Sequence, residues 1–113
     1  MKKIVLMTVA LLSMSYSNAK ENVDKFDMTT NLNSLSKYLK LTPAQAEDLK
    51  DVHDIFCMQM ELAGKADEEQ RQEKIDIAVR RNLKFMNMFL KKEQYKKYLR
   101  VLNATLVNRE IIK

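Results

Sequence analysis

Between residues 43 and 108 apolar side chains return every three or four positions, the period of an α-helix rather than of a strand. Leu49, Val52, Phe56, Met60 and Ala63 share one side of a segment that starts at Pro43 and runs to about Ala63. Ile75, Ala78, Val79, Met86 and Phe89 share one side of a second, from Asp67 to about Leu90. A shorter run with Leu32, Leu35 and Leu39 on one face, Tyr38 beside them and Thr30 as its cap precedes these, and Lys92 to Asn108 follows. The link Gly64–Ala66 is short enough to fold the two long arms, each roughly 30–35 Å at 1.5 Å per residue, into an antiparallel pair. One Gly and one Pro in the chain leave almost no turn vocabulary for hairpins or barrels. The pattern predicts an all-α fold, a small bundle of about four helices built on a long antiparallel helical hairpin and open to dimerisation.

Both arms carry a second apolar stripe. Ile55, Met58 and Leu62 lie roughly half a turn from the main stripe of the first arm; Ile77 and Met88 lie nearly opposite that of the second, with Phe85 at the border. One stripe suffices for a four-helix core, so the other must be covered by the remaining helices, by a second subunit, or transiently. Met58, Met60, Met86 and Met88 fall near the middle of the hairpin, and flexible, polarizable side chains suit a surface that adapts to varied partners.

Helix boundaries are written into a repeated element. In Leu41-Thr42-Pro43-Ala44-Gln45 the Thr42 hydroxyl can accept from the first free N–H groups, Pro43 fits where no N–H is needed, and Gln45 can reach back to the Thr42 N–H. The element returns 49 residues later as Leu90-Lys91-Lys92-Glu93-Gln94, with Lys91 where the hydroxyl stood. Asp67 with Gln70 offers another capping box, and Gly64 suits the residue after a helix C-terminus.

Residues 1–19 read as a signal peptide: Lys2 and Lys3, an apolar run from Ile4 to Leu12, and small residues at Ser17 and Ala19. The run is shorter than the roughly 20 residues of a spanning helix. The expectation is therefore a soluble, exported, periplasmic protein without membrane anchoring, with a flexible arm over 20–28 and a single helical domain over 29–113. Loss of Lys2 and Lys3 takes the net charge from +5 to +3, too mild to indicate nucleic acid. A domain this small leaves much surface wet, which favours a homodimer. The first arm is acidic (Glu47, Asp48, Asp51, Asp54, Glu61) and the chain from Arg80 to Arg100 basic, so antiparallel packing brings Glu47 and Asp48 towards Arg81 and Lys84.

Catalytic chemistry is scarce. One histidine, two serines after the leader and no glycine loop cannot assemble a nucleophile with its base and oxyanion site, and the chain reads as no enzyme and as needing no cofactor. His53 and Cys57, spaced i, i+4, share a helical face on which copper(I) or zinc could be held, yet two ligands are too few for a tight site; the plainer reading makes Cys57 a small buried hydrophobe and His53 a polar edge residue.

The leader, the helical pattern and the two elements at Leu41, Thr42, Gln45 and Leu90, Gln94 resemble the Spy/CpxP family of periplasmic envelope-stress proteins, over about Leu41 to Asn108. The resemblance implies long bent helices in a cradle-shaped dimer that binds unfolded clients without ATP; the family's metal-responsive members would favour the His53/Cys57 reading. On this chain client or partner binding falls to Ile55, Met58, Leu62, Ile77, Phe85 and Met88, with Arg80, Arg81, Lys84, Lys96 and Lys97 attracting acidic polypeptides. A metal-responsive sensor and a structural module for one dedicated partner are the alternatives.

Overall fold

The computed structural model describes residues 25–112, and among them regular structure is helical throughout: α1 (Leu32–Leu39), α2 (Pro43–Lys65), α3 (Glu68–Phe89) and α4 (Lys92–Asn108). The fold is the expected all-α bundle on an antiparallel hairpin. Residues 1–24, which include the expected signal peptide and most of the expected arm, lie outside the described part.

α2 and α3 make the most extensive helix pairing. Their register is pinned at both ends. At the open end Gln45 Nε2 donates to the Phe89 carbonyl; at the turn Arg71 donates to the carbonyls of Ala63 (3.3 Å) and Ala66 (2.8 Å). The main stripes meet inside, with Leu49, Met60, Ala63 and Met86 sealed from solvent. Leu39 of α1 and Tyr98, Leu102 and Leu106 of α4 join the same core. One face of the hairpin is thereby covered, at about 25 cal/mol per Å² of apolar surface withdrawn from water.

The repeated element builds the two corners, α1–α2 and α3–α4, and ties them together. Thr42 Oγ1 accepts from the Gln45 N–H at 3.1 Å while Gln45 Oε1 accepts from the Thr42 N–H at 3.0 Å, the full reciprocal cap. In the second copy Gln94 Oε1 accepts from the Lys91 N–H at 2.8 Å, half the cap, as the loss of the hydroxyl requires. Each glutamine then spends its amide N–H groups on the other corner. Gln45 reaches Phe89 O at the end of α3 and Gln94 Oε1 (2.9 Å); Gln94 reaches Leu39 O and Lys40 O at the end of α1 (3.3 and 3.1 Å). Carbonyls at the ends of α3 and α1 are thus satisfied by the cap glutamines of α2 and α4, each from the opposite corner. Lys40 closes α1 in the left-handed region (φ 58°), where an L side chain carries strain.

Several local expectations are corrected. Asn31, not Thr30, caps α1, accepting from the Ser34 N–H. Asp67 precedes α3 without a side-chain cap bond. Gly64 lies inside α2, which ends at Ala66 with ordinary extended backbone; a Cβ there would come within 2.8 Å of Phe26, so the glycine answers a close approach, not a turn. Phe26 and Met28, assigned to a flexible arm, are buried in the core. The acidic start of α2 and basic end of α3 form no direct ion pair: among the described residues the salt bridge found is Lys50–Asp54, exposed and within α2. Exposed partners gain too little from contact to fix long side chains.

The glutamine knot makes a prediction about coupling. Gln45→Ala and Gln94→Ala should each lower the unfolding free energy by about 1–3 kcal/mol in urea titrations, because carbonyls at a corner lose their donors. The double variant should lose less than the sum, since each single change already breaks the shared bond.

Candidate interaction surface

The second stripe stays on the surface of the hairpin. Met58 and Leu62 on α2 are 53% and 58% exposed and Ile55 is exposed beside them; Ile77, Phe85 and Met88 on α3 are also exposed, Met88 to 72%. On α2 the outer row reads Asp51, Ile55, Met58, Leu62, Lys65, and on α3 Ile77, Arg81, Lys84, Met88, both at i, i+4, i+7 type spacing.

The register set by Gln45–Phe89 and Arg71–Ala63 arranges these rows. Ile77 falls level with the stretch Ile55–Met58, whereas Met88 falls level with the start of α2, about 16 Å further along at 1.5 Å per residue. Arg81 and Lys84 stand between, level with Asp51 and His53. The outer face is thus an apolar patch of Ile55, Met58, Leu62 and Ile77 near the turn, a charged band, and Met88 with Phe85 near the corners. The four central methionines do not form one cluster: Met60 and Met86 are fully buried core, and Met58 and Met88 are separate surface residues.

The expected cations divide similarly. Arg80, Arg81 and Lys84 are exposed on α3. Lys96 and Lys97 are on α4, in the layer that covers the opposite face, and Lys97 Nζ stands 5.4 Å above the Tyr38 ring, binding α4 to α1. They do not join the apolar patch.

Beside Met58 a cleft of about 410 Å³ opens between α2 and the start of α1 with the residues before it, bordered by Thr29, Leu32, His53, Cys57 and Glu61. His53 is buried, against the expectation of an edge position. Its Nε2 lies 3.2 Å from Cys57 Sγ. Burial lowers the His53 pKa below its ordinary 6.5, outweighing the opposing pull of Asp54 and the Met28 backbone. Burial, with Asp27 and Asp54 nearby, pushes the Cys57 thiol up to about 11. The pair satisfies itself as neutral groups. Among the described residues no group of three His, Cys, Asp or Glu side chains is placed to hold a metal ion.

A second buried polar pair escaped the sequence reading. Tyr98 Oη donates to Asn82 Oδ1 at 2.5 Å between α4 and α3, and burial raises the Tyr98 pKa, so the phenol stays protonated. Asn82 is 2% exposed and its Nδ2 has no partner. An asparagine on the apolar stripe, at i+4 from Ala78 and i−4 from Met86, was the signal available.

Comparison of the chain with protein-family models, with curated proteins and with solved structures finds no match. No helix of the described residues is long and apolar enough to cross a membrane.

Two measurements check the buried pair. Between the folded and unfolded His53 pKa the unfolded chain binds more protons, so its contribution to stability is complete above 6.5 and declines as pH falls through that window. Urea midpoints should drop from pH 7.5 to pH 5, and His53→Gln should flatten that drop. At neutral pH iodoacetamide should alkylate Cys57 about a hundredfold more slowly than in the urea-unfolded chain, as a thiolate fraction set by a pKa of about 11 instead of 9.0 requires.

Proposed function

We propose that the protein is an ATP-independent holdase that binds apolar segments of unfolded polypeptides on the outer face of its helical hairpin. The observation that carries the reading is the exposure of Ile55, Met58, Leu62 and Ile77 together, on arms whose other faces already fill the core. A folded chain gains nothing from leaving such side chains in water, and a patch of this kind on a small domain marks a site of association. Methionine and isoleucine beside a band of Arg81 and Lys84 fit a partner that is apolar, variable in sequence and on balance acidic.

The resemblance to the Spy/CpxP proteins at Leu41, Thr42, Gln45, Leu90 and Gln94, residues that build the paired corners here, is in keeping with the same reading. Export through the leader at 1–19, action in the periplasm and a homodimer belong to this proposal. The metal-responsive alternative gains no support from a thiol held protonated beside a buried imidazole, and a module for one dedicated partner would use the same patch with narrower selectivity.

Replacing Met58 and Leu62 together by Asp tests the proposal, since both are more than half exposed and their loss spares the core. Helicity should stay at the wild-type level while the concentration needed to suppress aggregation of reduced α-lactalbumin at neutral pH rises at least tenfold. Equal protection by the double variant would refute the assignment. A wild-type protein that protects nothing would leave the dedicated-partner reading.

A further inference from the structure

The outer rows of α2 and α3 carry charges of opposite sign at one level. On α2, Asp51 heads the row that continues through Ile55, Met58 and Leu62; on α3, Arg81 and Lys84 follow Ile77. The register that sets Gln45 beside Phe89 and Arg71 beside Ala63 puts Asp51 level with residue 83, between the two cations. All three side chains are nevertheless exposed, and among the described residues the ion pair found is Lys50–Asp54, within α2. The hairpin thus offers an acidic-and-apolar row beside a basic-and-apolar row, and its own fold pairs neither with the other.

A second copy of the chain matches this surface. Two copies related by a two-fold axis bury the same patch on each side. An axis running across the arms lays α2 on α2 and α3 on α3, acid towards acid and base towards base. An axis running along the arms lays each α2 on the partner's α3 and keeps the levels. Asp51 of one copy then falls between Arg81 and Lys84 of the other, while Ile55 and Met58 fall on Ile77. Symmetry repeats both contacts. The area is sufficient as well: the 22 residues of α3 span about 33 Å and two helices side by side about 20 Å, so two such faces in contact withdraw on the order of 1,300 Å², within the range of about 1,200–2,000 Å² found for stable interfaces.

We propose that the resident occupant of the outer face is a second copy of this chain, set by a two-fold axis parallel to the arms, and that this closed dimer is the resting form, whose separation exposes Ile55, Met58, Leu62 and Ile77 to clients. The client step rests on the holdase reading above; the dimer does not. Burial of the apolar residues holds the copies together, and the charges choose which helix faces which. The two patches are turned to each other, where a cradle would keep them open. Access is then set by protein concentration, since dilution favours the separated copies and a client bound to the patch removes them from the pairing equilibrium.

Charge exchange tests the arrangement. In sedimentation equilibrium at about 0.1 M salt the wild-type protein should be dimeric, and Asp51→Lys alone, or Arg81→Glu with Lys84→Glu, should weaken the dimer at least tenfold with helicity unchanged, because all three residues are exposed. An equimolar mixture of the two variants should recover the wild-type affinity as a mixed dimer, in which each reversed row again meets its opposite. A monomeric wild type leaves the face to other partners and overturns the proposal. So does a dimer that tightens in Asp51→Lys, the result of α2 lying on α2, or a mixture that fails to recover. For the resting form, both variants, though opposite in their change of net charge, should protect reduced α-lactalbumin at a severalfold lower concentration than wild type. Monomeric variants that protect no better overturn the closed resting form and leave the dimer standing. Absence of protection by every form refutes the holdase reading alone.

Discussion

Two glutamine side chains hold this fold in one arrangement. Gln45 and Gln94 each close the start of their own helix and the end of a helix from the opposite corner, and they bond to each other. With no disulfide available to the single cysteine and few residues to spare for a core, a four-helix chain needs some means of fixing the directions of its helices at their joints. Hydrogen bonds that are partly withdrawn from water and meet the Phe89, Leu39 and Lys40 carbonyls provide it. The hairpin register, the placement of α1 and α4 on one face, and the bareness of the other face all follow from these joints.

That division of faces links packing to function. A helix arm with one apolar stripe would be satisfied inside the bundle; α2 and α3 have two each, and the corners turn α1 and α4 to the same side. The outer residues Ile55, Met58, Leu62 and Ile77 are left in water by the architecture, not by loose packing. The charged band of Arg81 and Lys84 then interrupts the apolar surface before it reaches Met88, which limits the area over which two copies could adhere without selectivity.

The helix pattern was legible because its signals were local: periodic apolar positions, Thr42 and Pro43 at one start, Gln94 at another. Those signals bound residues 92–108 as a helix, and angular spacing alone shows a second stripe on each arm, though not whether it is covered. What failed depended on contacts distant in sequence. Gly64 resembled a helix terminator because its real partner, Phe26, is 38 residues away; Phe26 and Met28 looked like an arm because isolated apolar residues among polar ones have no period. Charge asymmetry between the arms suggested ion pairs that the side chains do not form. His53 was placed at an edge because no local rule indicates that a neighbouring segment will fold over it.

The Asn82–Tyr98 bond fixes something that greasy contacts alone leave loose. Leu102, Leu106 and their neighbours would pack nearly as well if α4 slid along the hairpin by a helical turn, about 5.4 Å. Such a slide would strand a phenol and an amide oxygen in a dry interior, each at a cost of about 1–3 kcal/mol. A single polar contact thus acts as a detent against axial slippage, and the unmatched Nδ2 beside it is the residual penalty for keeping that notch in an otherwise smooth interface.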